Sequence, residues 1–331
     1  MSQDEMPPVV ATAPAMTLEG FQTLADALRH EIRRVIQGQD ALIDMLLVSL
    51  FARGHCLLEG PPGTAKTLLA QCLSQVSTLA FGRVQFTPDL MPGDVLGVNL
   101  FNFQTGEFRL TRGPIFTDIL LADEINRAPP KTQSALLQAM NEREVTIDGT
   151  TWPLGAEFFV IATQNPIEQH GTYPLPEAQL DRFLFKLLVD FPDREAEIGI
   201  LSRGTRAPVG DGRAPLVAVM DRGLLQQGHA LVDAIRLDDS IVRYIVDLVR
   251  ATRTDAEVLH GASTRAAAAL AGAVRARAAL DGRAYALPDD VQTLFLPAMR
   301  HRVILGPTAE IEGRSPDDVL TAILNRQDAP R

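Results

Sequence analysis

Cysteine is scarce in this chain. Only Cys56 and Cys72 occur among 331 residues, so neither a disulfide framework nor a four-cysteine metal site can be built. One lies in an apolar run and the other at an apolar helix position, which points to two buried thiols. The six histidines, at 30, 55, 170, 229, 260 and 301, never fall at the i, i+4 spacing that sets two imidazoles on one helix face. No run of 18 or more apolar residues occurs, which excludes a spanning helix and any integral membrane association. The opening Met1-Ser2-Gln3-Asp4-Glu5 lacks the basic start and apolar stretch of a secretion signal, so a cytoplasmic location is expected. Positive charge is in deficit. The 31 Lys and Arg against 41 Asp and Glu leave a net charge of -10, a poor footprint for nucleic acid or anionic lipid.

Apolar residues are plentiful, at 46% of the chain, which excludes a disordered or low-complexity protein. At roughly 150 residues per domain, the length allows two domains. Residues 1–16 read as a loose, proline-bearing tail. Residues 17–190 open with helical periodicity from Leu18 to Phe51, broken at Gln37-Gly38-Gln39. Short apolar runs then alternate with amphipathic stretches. The runs are Cys56 to Leu58, Val84 to Phe86, Ile119 to Ala122, Phe158 to Ala162 and Phe183 to Val189. That alternation predicts an α/β fold, a parallel sheet with helices on both faces. Beyond Phe191 a Gly/Pro/Arg-rich loop from Gly204 to Pro215 leads only to helical patterns: Ile241 to Arg250, Thr264 to Leu280 and Asp289 to Phe295. Residues 191–331 therefore read as a smaller all-helical domain. Two hairpins interrupt the first domain, turning at Thr105-Gly106 and Asp148-Gly149. Phe101, Phe103 and Phe108 line one face of the first, and such a stripe is expected to pack on its own domain.

The segment Gly60-Pro61-Pro62-Gly63-Thr64-Ala65-Lys66-Thr67 follows one apolar run and precedes a helical pattern. That is the setting of a phosphate-binding loop, whose glycines turn successive N–H groups inward beside a helix N-terminus. Lys66 would reach the β- and γ-phosphates, and the Thr67 hydroxyl would ligate Mg²⁺. The strict pattern has glycine where Ala65 stands. Ala65 is expected within the first helical turn, at negative φ.

The apolar strand Ile119 to Ala122 ends in Asp123-Glu124, costly unless the carboxylates face a polar site. A strand end leading into a helix would also favour acids through the helix dipole. Beside a phosphate loop, Asp123 would hold the Mg²⁺ shell, and Glu124 would orient and deprotonate an attacking water. The run Phe158 to Asn165 is another buried strand with a polar end. It sets Asn165 where open α/β sheets bind ligands, although a turn before Pro166 would also suit asparagine.

Taken together, these segments resemble the MoxR branch of the AAA+ ATPases. The closest stretches are Ala122 to Leu137 (ADEINRAPPKTQSALL), Ala162 to Gln169 (ATQNPIEQ) and Leu175 to Phe183 (LPEAQLDRF), and the similarity covers roughly Phe21 to Pro307. The resemblance implies an αβα nucleotide-binding core, a helical lid, and a homo-oligomeric ring, usually a hexamer, with ATP and Mg²⁺ between subunits. It makes Arg182 the arginine finger that completes a neighbour's site. It matches Arg265, in Gly261-Ala262-Ser263-Thr264-Arg265, to a lid arginine touching the phosphates of its own subunit's ATP. Val35-Ile36-Gln37-Gly38 sits where relatives contact adenine. His170 stands where the family commonly has Glu. Thr264 stands where it commonly has Pro, which could loosen that helix start.

The activity implied is ATP hydrolysis in a chaperone-like remodeller that matures client proteins or metal-cofactor enzymes. A partner carrying a von Willebrand factor A (VWA) domain is also implied, here as a separate protein. Two alternatives stay open from sequence. One is a DNA-linked motor, although the hairpin from Val145 to Trp152 carries one Asp and no Lys or Arg. The other is a scaffold that binds nucleotide without turnover.

Overall fold

A computed structural model of the protein describes residues 16–166, 171–202 and 215–330. The reading of residues 1–15, of His170 and of the loop from 204 to 214 lies outside them. In chain order the first half comprises α1 (Leu18–Arg33), α2 (Asp40–Phe51), β1 (His55–Glu59), α3 (Lys66–Gln75) and β2 (Phe81–Gln85). It continues through α4 (Pro92–Leu96), β3 (Gly97–Asn102), β4 (Glu107–Arg112), β5 (Ile119–Asp123) and α5 (Pro130–Glu142). The hairpin strands β6 (Glu144–Ile147) and β7 (Thr150–Pro153) follow, then β8 (Phe159–Gln164), α6 (Glu177–Leu180) and β9 (Phe183–Leu188).

Five of these strands form one parallel sheet in the order β2-β5-β8-β1-β9. Side chains alternate across it and feed two cores. Cys56, Leu58, Leu121 and Ile161 face the core shared with α1, α2 and α3. Leu57, Leu120, Val160 and Ala162 face the core shared with α5 and the second hairpin. Both cysteines are free and buried, and burial pushes the Cys56 thiol pKa up.

The remainder comprises α7 (Arg194–Ser202), α8 (Arg222–Ala234), α9 (Asp239–Thr254), β10 (Val258–His260), α10 (Thr264–Leu280), α11 (Pro288–Met299), β11 (Ile304–Leu305), α12 (Pro307–Ile311) and α13 (Pro316–Arg326). The antiparallel β10–β11 ribbon corrects the all-helical expectation for this region. Both strands are too short to show a period of two in sequence. Ser263 caps α10, its hydroxyl accepting from the Ala266 N–H at 3.2 Å, so the helix start is held with Thr264 in place of proline.

The lid helices pack on the core from one side. α10 lies against α1, α2 and β9, and α11 also lies against β9. One continuous apolar cluster runs from Phe21 in α1 to Ile323 in α13. No helix among the described residues is long and apolar enough to cross a membrane.

Candidate functional site

The phosphate loop connects β1 to α3, at the carboxyl end of a central strand. Its backbone demands two glycines. A Cβ on Gly60 would meet the Val189 carbonyl oxygen at 2.1 Å, and Gly63 sits at φ +84°. Thr64 braces the turn, its hydroxyl donating to Pro61 O at 2.9 Å. Lys66 Nζ folds back over the loop and donates to Gly60 O at 2.8 Å, Pro61 O at 2.6 Å and Thr64 Oγ1 at 3.1 Å. Burial lowers its pKa, while the charges of Asp123 and Glu124 pull it upward. Ala65 corrects the sequence expectation. It caps α3 in the left-handed region at φ 61°, ψ 20° rather than lying within the helix. The loop needs that turn whichever residue supplies it, so alanine carries about 1–2 kcal/mol of strain that glycine would not.

The two carboxylates stand at the end of β5, two strands from the loop with β8 between. Thr67 Oγ1 donates to Asp123 Oδ2 at 3.2 Å, so the two side chains proposed for Mg²⁺ are in contact. They are hard oxygen donors of the kind magnesium takes, and the donor set fits. Asp123 also accepts from Thr163 Oγ1 at 2.7 Å and from Arg83 Nη2 at 2.8 Å. Glu124 is left-handed too, at φ 56°, ψ 50°, which swings its side chain away from the strand path. Its N–H donates to Thr163 Oγ1 at 2.9 Å, and its carboxylate accepts from Gln85 Nε2 at 2.7 Å. Asn165, buried at the end of β8, accepts at its carbonyl from Asn126 Nδ2 at 3.4 Å. Loop, carboxylates and Asn165 thus converge at the carboxyl ends of three adjacent strands.

Beside the loop, a cavity of about 210 Å³ is lined by Val35, Ile36 and Gln37 together with Gly63, Thr64 and Ala65. The α1–α2 connection therefore lies where the adenine contact was expected.

Arg182 and Arg265 lie elsewhere. They share a second cavity, of about 310 Å³, with Arg53, Arg143, Asn141 and Arg302, and no residue of the phosphate loop lines it. Both arginines dock on the end of α5. Arg182 Nη1 donates to Leu137 O at 2.5 Å, and Arg265 donates to Asn141 Oδ1. Arg265 was expected over its own subunit's phosphates, and the placement differs for a packing reason. α10 lies along α1, α2 and β9, which aims its first turn at α5 rather than at the loop.

Thr163, Arg83 and Gln85 were not singled out from sequence. Thr163 carried a weak signal, a lone hydroxyl within a buried apolar strand. Nothing in the sequence shows that β2 lies beside β5, which is what brings Arg83 and Gln85 to the carboxylates. The three phenylalanines of the β3–β4 hairpin also depart from expectation. Phe101, Phe103 and Phe108 are 43%, 90% and 72% exposed, stacked edge-on against one another rather than on the domain.

A parallel sheet with a phosphate loop, paired carboxylates at the adjoining strand ends and a helical lid defines a P-loop nucleotide-binding protein. Residues 55–185 match the ATPase family associated with various cellular activities (AAA), and residues 250–323 match the AAA lid domain. The chain is 41% identical to Chaperone MoxR1 of Mycobacterium tuberculosis, over 96% of this chain and 86% of that protein. It is 45% identical to YeaC of Bacillus subtilis, over 93% and 95% of the two chains. It is 31% identical to Protein MoxR of Methylorubrum extorquens, over 95% and 97%. The crystal structure of a putative ATPase from Cytophaga hutchinsonii superposes with a TM-score of 0.87, at 38% identity over 95% of this chain and 97% of that one. The chain belongs to the MoxR family of AAA+ ATPases.

Proposed function

We propose that the chain is one subunit of an ATP-hydrolysing ring in which each site is shared between neighbours. The observation that carries this reading is the separation of the two cavities. Arg182 and Arg265 line a cavity that no residue of the phosphate loop lines, which supports a second copy supplying the nucleotide they meet. Both arginines then act in trans, in contrast to the own-subunit role the resemblance implied for Arg265.

In the proposed reaction Lys66 and the loop N–H groups hold the β- and γ-phosphates. Glu124 takes a proton from the attacking water, and Asn165 orients the water or the γ-phosphate. Thr67 and Asp123 would hold Mg²⁺, which supplies charge neutralisation at the phosphates when bound. The neighbour's Arg182 and Arg265 pair with the charge that builds on the γ-phosphoryl group, a contribution on the order of 10³- to 10⁵-fold in rate. Water and ATP give ADP and phosphate.

Coupled to lid and core movement, this cycle would remodel a protein client, in the sense of the name borne by the mycobacterial relative. The exposed Phe101, Phe103 and Phe108 support a protein-facing surface. The β6–β7 hairpin, with Glu144 and Asp148 and no Lys or Arg, supports a protein client over DNA. A hexameric ring, a separate VWA-domain partner and a cytoplasmic setting complete the proposal.

Mixed-subunit ATPase assays test it. Lys66→Ala and Arg182→Ala proteins should each be nearly inactive alone. In an equal mixture about a quarter of the interfaces pair an intact loop with an intact Arg182, and activity should return in that proportion. A mixture that stays inactive although both variants fold and co-assemble would refute the shared site.

A further inference from the structure

The guanidinium of Arg302, just beyond α11, is almost wholly buried, its side chain only 3% exposed. An arginine offers five N–H donors in a fixed planar fork. Here all five are used. Nε donates to Asp181 Oδ1 at 2.7 Å, Nη2 to Asp181 O at 3.1 Å and Phe183 O at 2.7 Å, and Nη1 to Leu184 O at 3.1 Å and Ala298 O at 2.5 Å. Four of the five grip residues 181 to 184, and they fall on both sides of Arg182.

Two neighbours strengthen the grip. His301 Nε2 lies 2.9 Å from Phe183 O, and Arg300 Nη1 donates to Lys186 O at 3.3 Å. These carbonyls belong to β9, the edge strand of the sheet, and would otherwise lack a partner strand. The chain on which Arg182 stands is therefore fastened to the lid as well as to the sheet.

We infer that Arg302 is a positioning residue for Arg182, a clamp through which the lid sets where that arginine is presented to the neighbouring subunit. The inference rests on the reading of Arg182 as a finger that acts in trans. Lysine cannot stand in for the clamp. It keeps the charge but offers three donors on a flexible stem, too few and too loosely held to bracket four residues. Because misplacing a reacting group by about 1 Å costs on the order of 100-fold, a loosened finger should show in turnover before it shows in nucleotide affinity.

The test uses Arg302→Lys in the full chain. Its ATP turnover is expected to fall on the order of 10- to 100-fold, with the affinity for a fluorescent ADP analogue changed less than about twofold, because its own phosphate loop is intact. Mixing it with Lys66→Ala should restore activity, since that subunit lends a well-held Arg182. Mixing it with Arg182→Ala should restore none, since both lack a placed finger. A general folding defect would not follow that pattern. Should Arg302→Lys fail to fold, Asp181→Asn weakens the same clamp from its more exposed end and must show the same pattern of rescue. Turnover within twofold of the unmodified protein, or a defect that Lys66→Ala does not rescue, would overturn the clamp. The Lys66→Ala with Arg182→Ala mixture separates the two ideas. If it stays inactive, the trans reading falls and the clamp with it; if it recovers while the Arg302→Lys mixture does not, the clamp alone is wrong.

Discussion

Thr163→Val isolates what one buried hydroxyl does for both carboxylates. Thr163 is 1% exposed, and the substitution keeps its shape while removing two hydrogen bonds, one donated to Asp123 at 2.7 Å and one accepted from the Glu124 N–H at 2.9 Å. A hydrogen bond to a charged group contributes about 1.5–3 kcal/mol, and an orphaned buried N–H costs about 1–3 kcal/mol. Asp123 keeps Thr67 and Arg83 as donors, so the low end applies to the first loss. The total destabilisation should be about 2.5–4.5 kcal/mol, read as a shift in the urea midpoint at unchanged slope. Function should suffer separately. The left-handed backbone of Glu124 is anchored through this N–H, and once released it can relax by about 1–2 kcal/mol into ordinary geometry. That would swing the proposed base out of line and lower turnover on the order of 100-fold. Thr163→Ser is the control. It loses only a methyl, about 1 kcal/mol, and should keep most of the activity. If Thr163→Val unfolds within about 0.5 kcal/mol of the unmodified protein and turns over ATP normally, the hydroxyl does not organise the site.

Two further outcomes follow from the same geometry. Glu124→Gln should retain nucleotide in an equilibrium binding assay while turnover falls about 10²- to 10⁴-fold; normal turnover would remove Glu124 as the base. Buried His55 accepts the Val160 N–H at Nδ1 and contacts Met140 O through Nε2, and desolvation pushes its pKa down to about 4 from 6.5. Between those values the unfolded chain binds a proton that the folded chain refuses. The associated stability is therefore complete above about pH 6.5 and falls by about 3 kcal/mol as the pH drops toward 4. Denaturation of His55→Gln across that window should show a shallower pH dependence, with a residual slope from His229 and His301, whose pKa values burial also lowers.

Much of this was legible in the sequence because the governing signals are local. Four of the five sheet strands carry apolar runs, whereas β2, Phe81–Gln85 with Arg83 and Gln85 in it, starts three residues before the run expected at Val84 to Phe86. The Asp148-Gly149 turn takes φ 48° and 80°, the left-handed pair that such a dipeptide favours. The loop, the carboxylates and Asn165 could be placed because each ends or follows a strand of the sheet. The misreadings were tertiary. Ala65 looked helical because its sequence neighbours are, whereas its φ is set by the closure of the loop. The hairpin phenylalanines looked like a core stripe because periodicity does not say whether a partner face exists. Arg265 was placed over its own loop by analogy, and only the packing of α10 along α1, α2 and β9 decides otherwise.

The fastening of the lid to β9 has a bearing on how the chain folds. The two family matches are separate, at residues 55–185 and 250–323, yet a single apolar cluster spans both, and outer carbonyls of the edge strand at the end of the first are satisfied by Arg300 and Arg302 from the second. The boundary visible in evolution is not a boundary of cooperativity. A fragment ending at 190 would bare apolar surface along α1 and α2, together with an unpaired strand edge, the template from which chains associate edge to edge and aggregate. Nucleotide domain and lid should therefore melt in one transition, each completing the other as a folding unit.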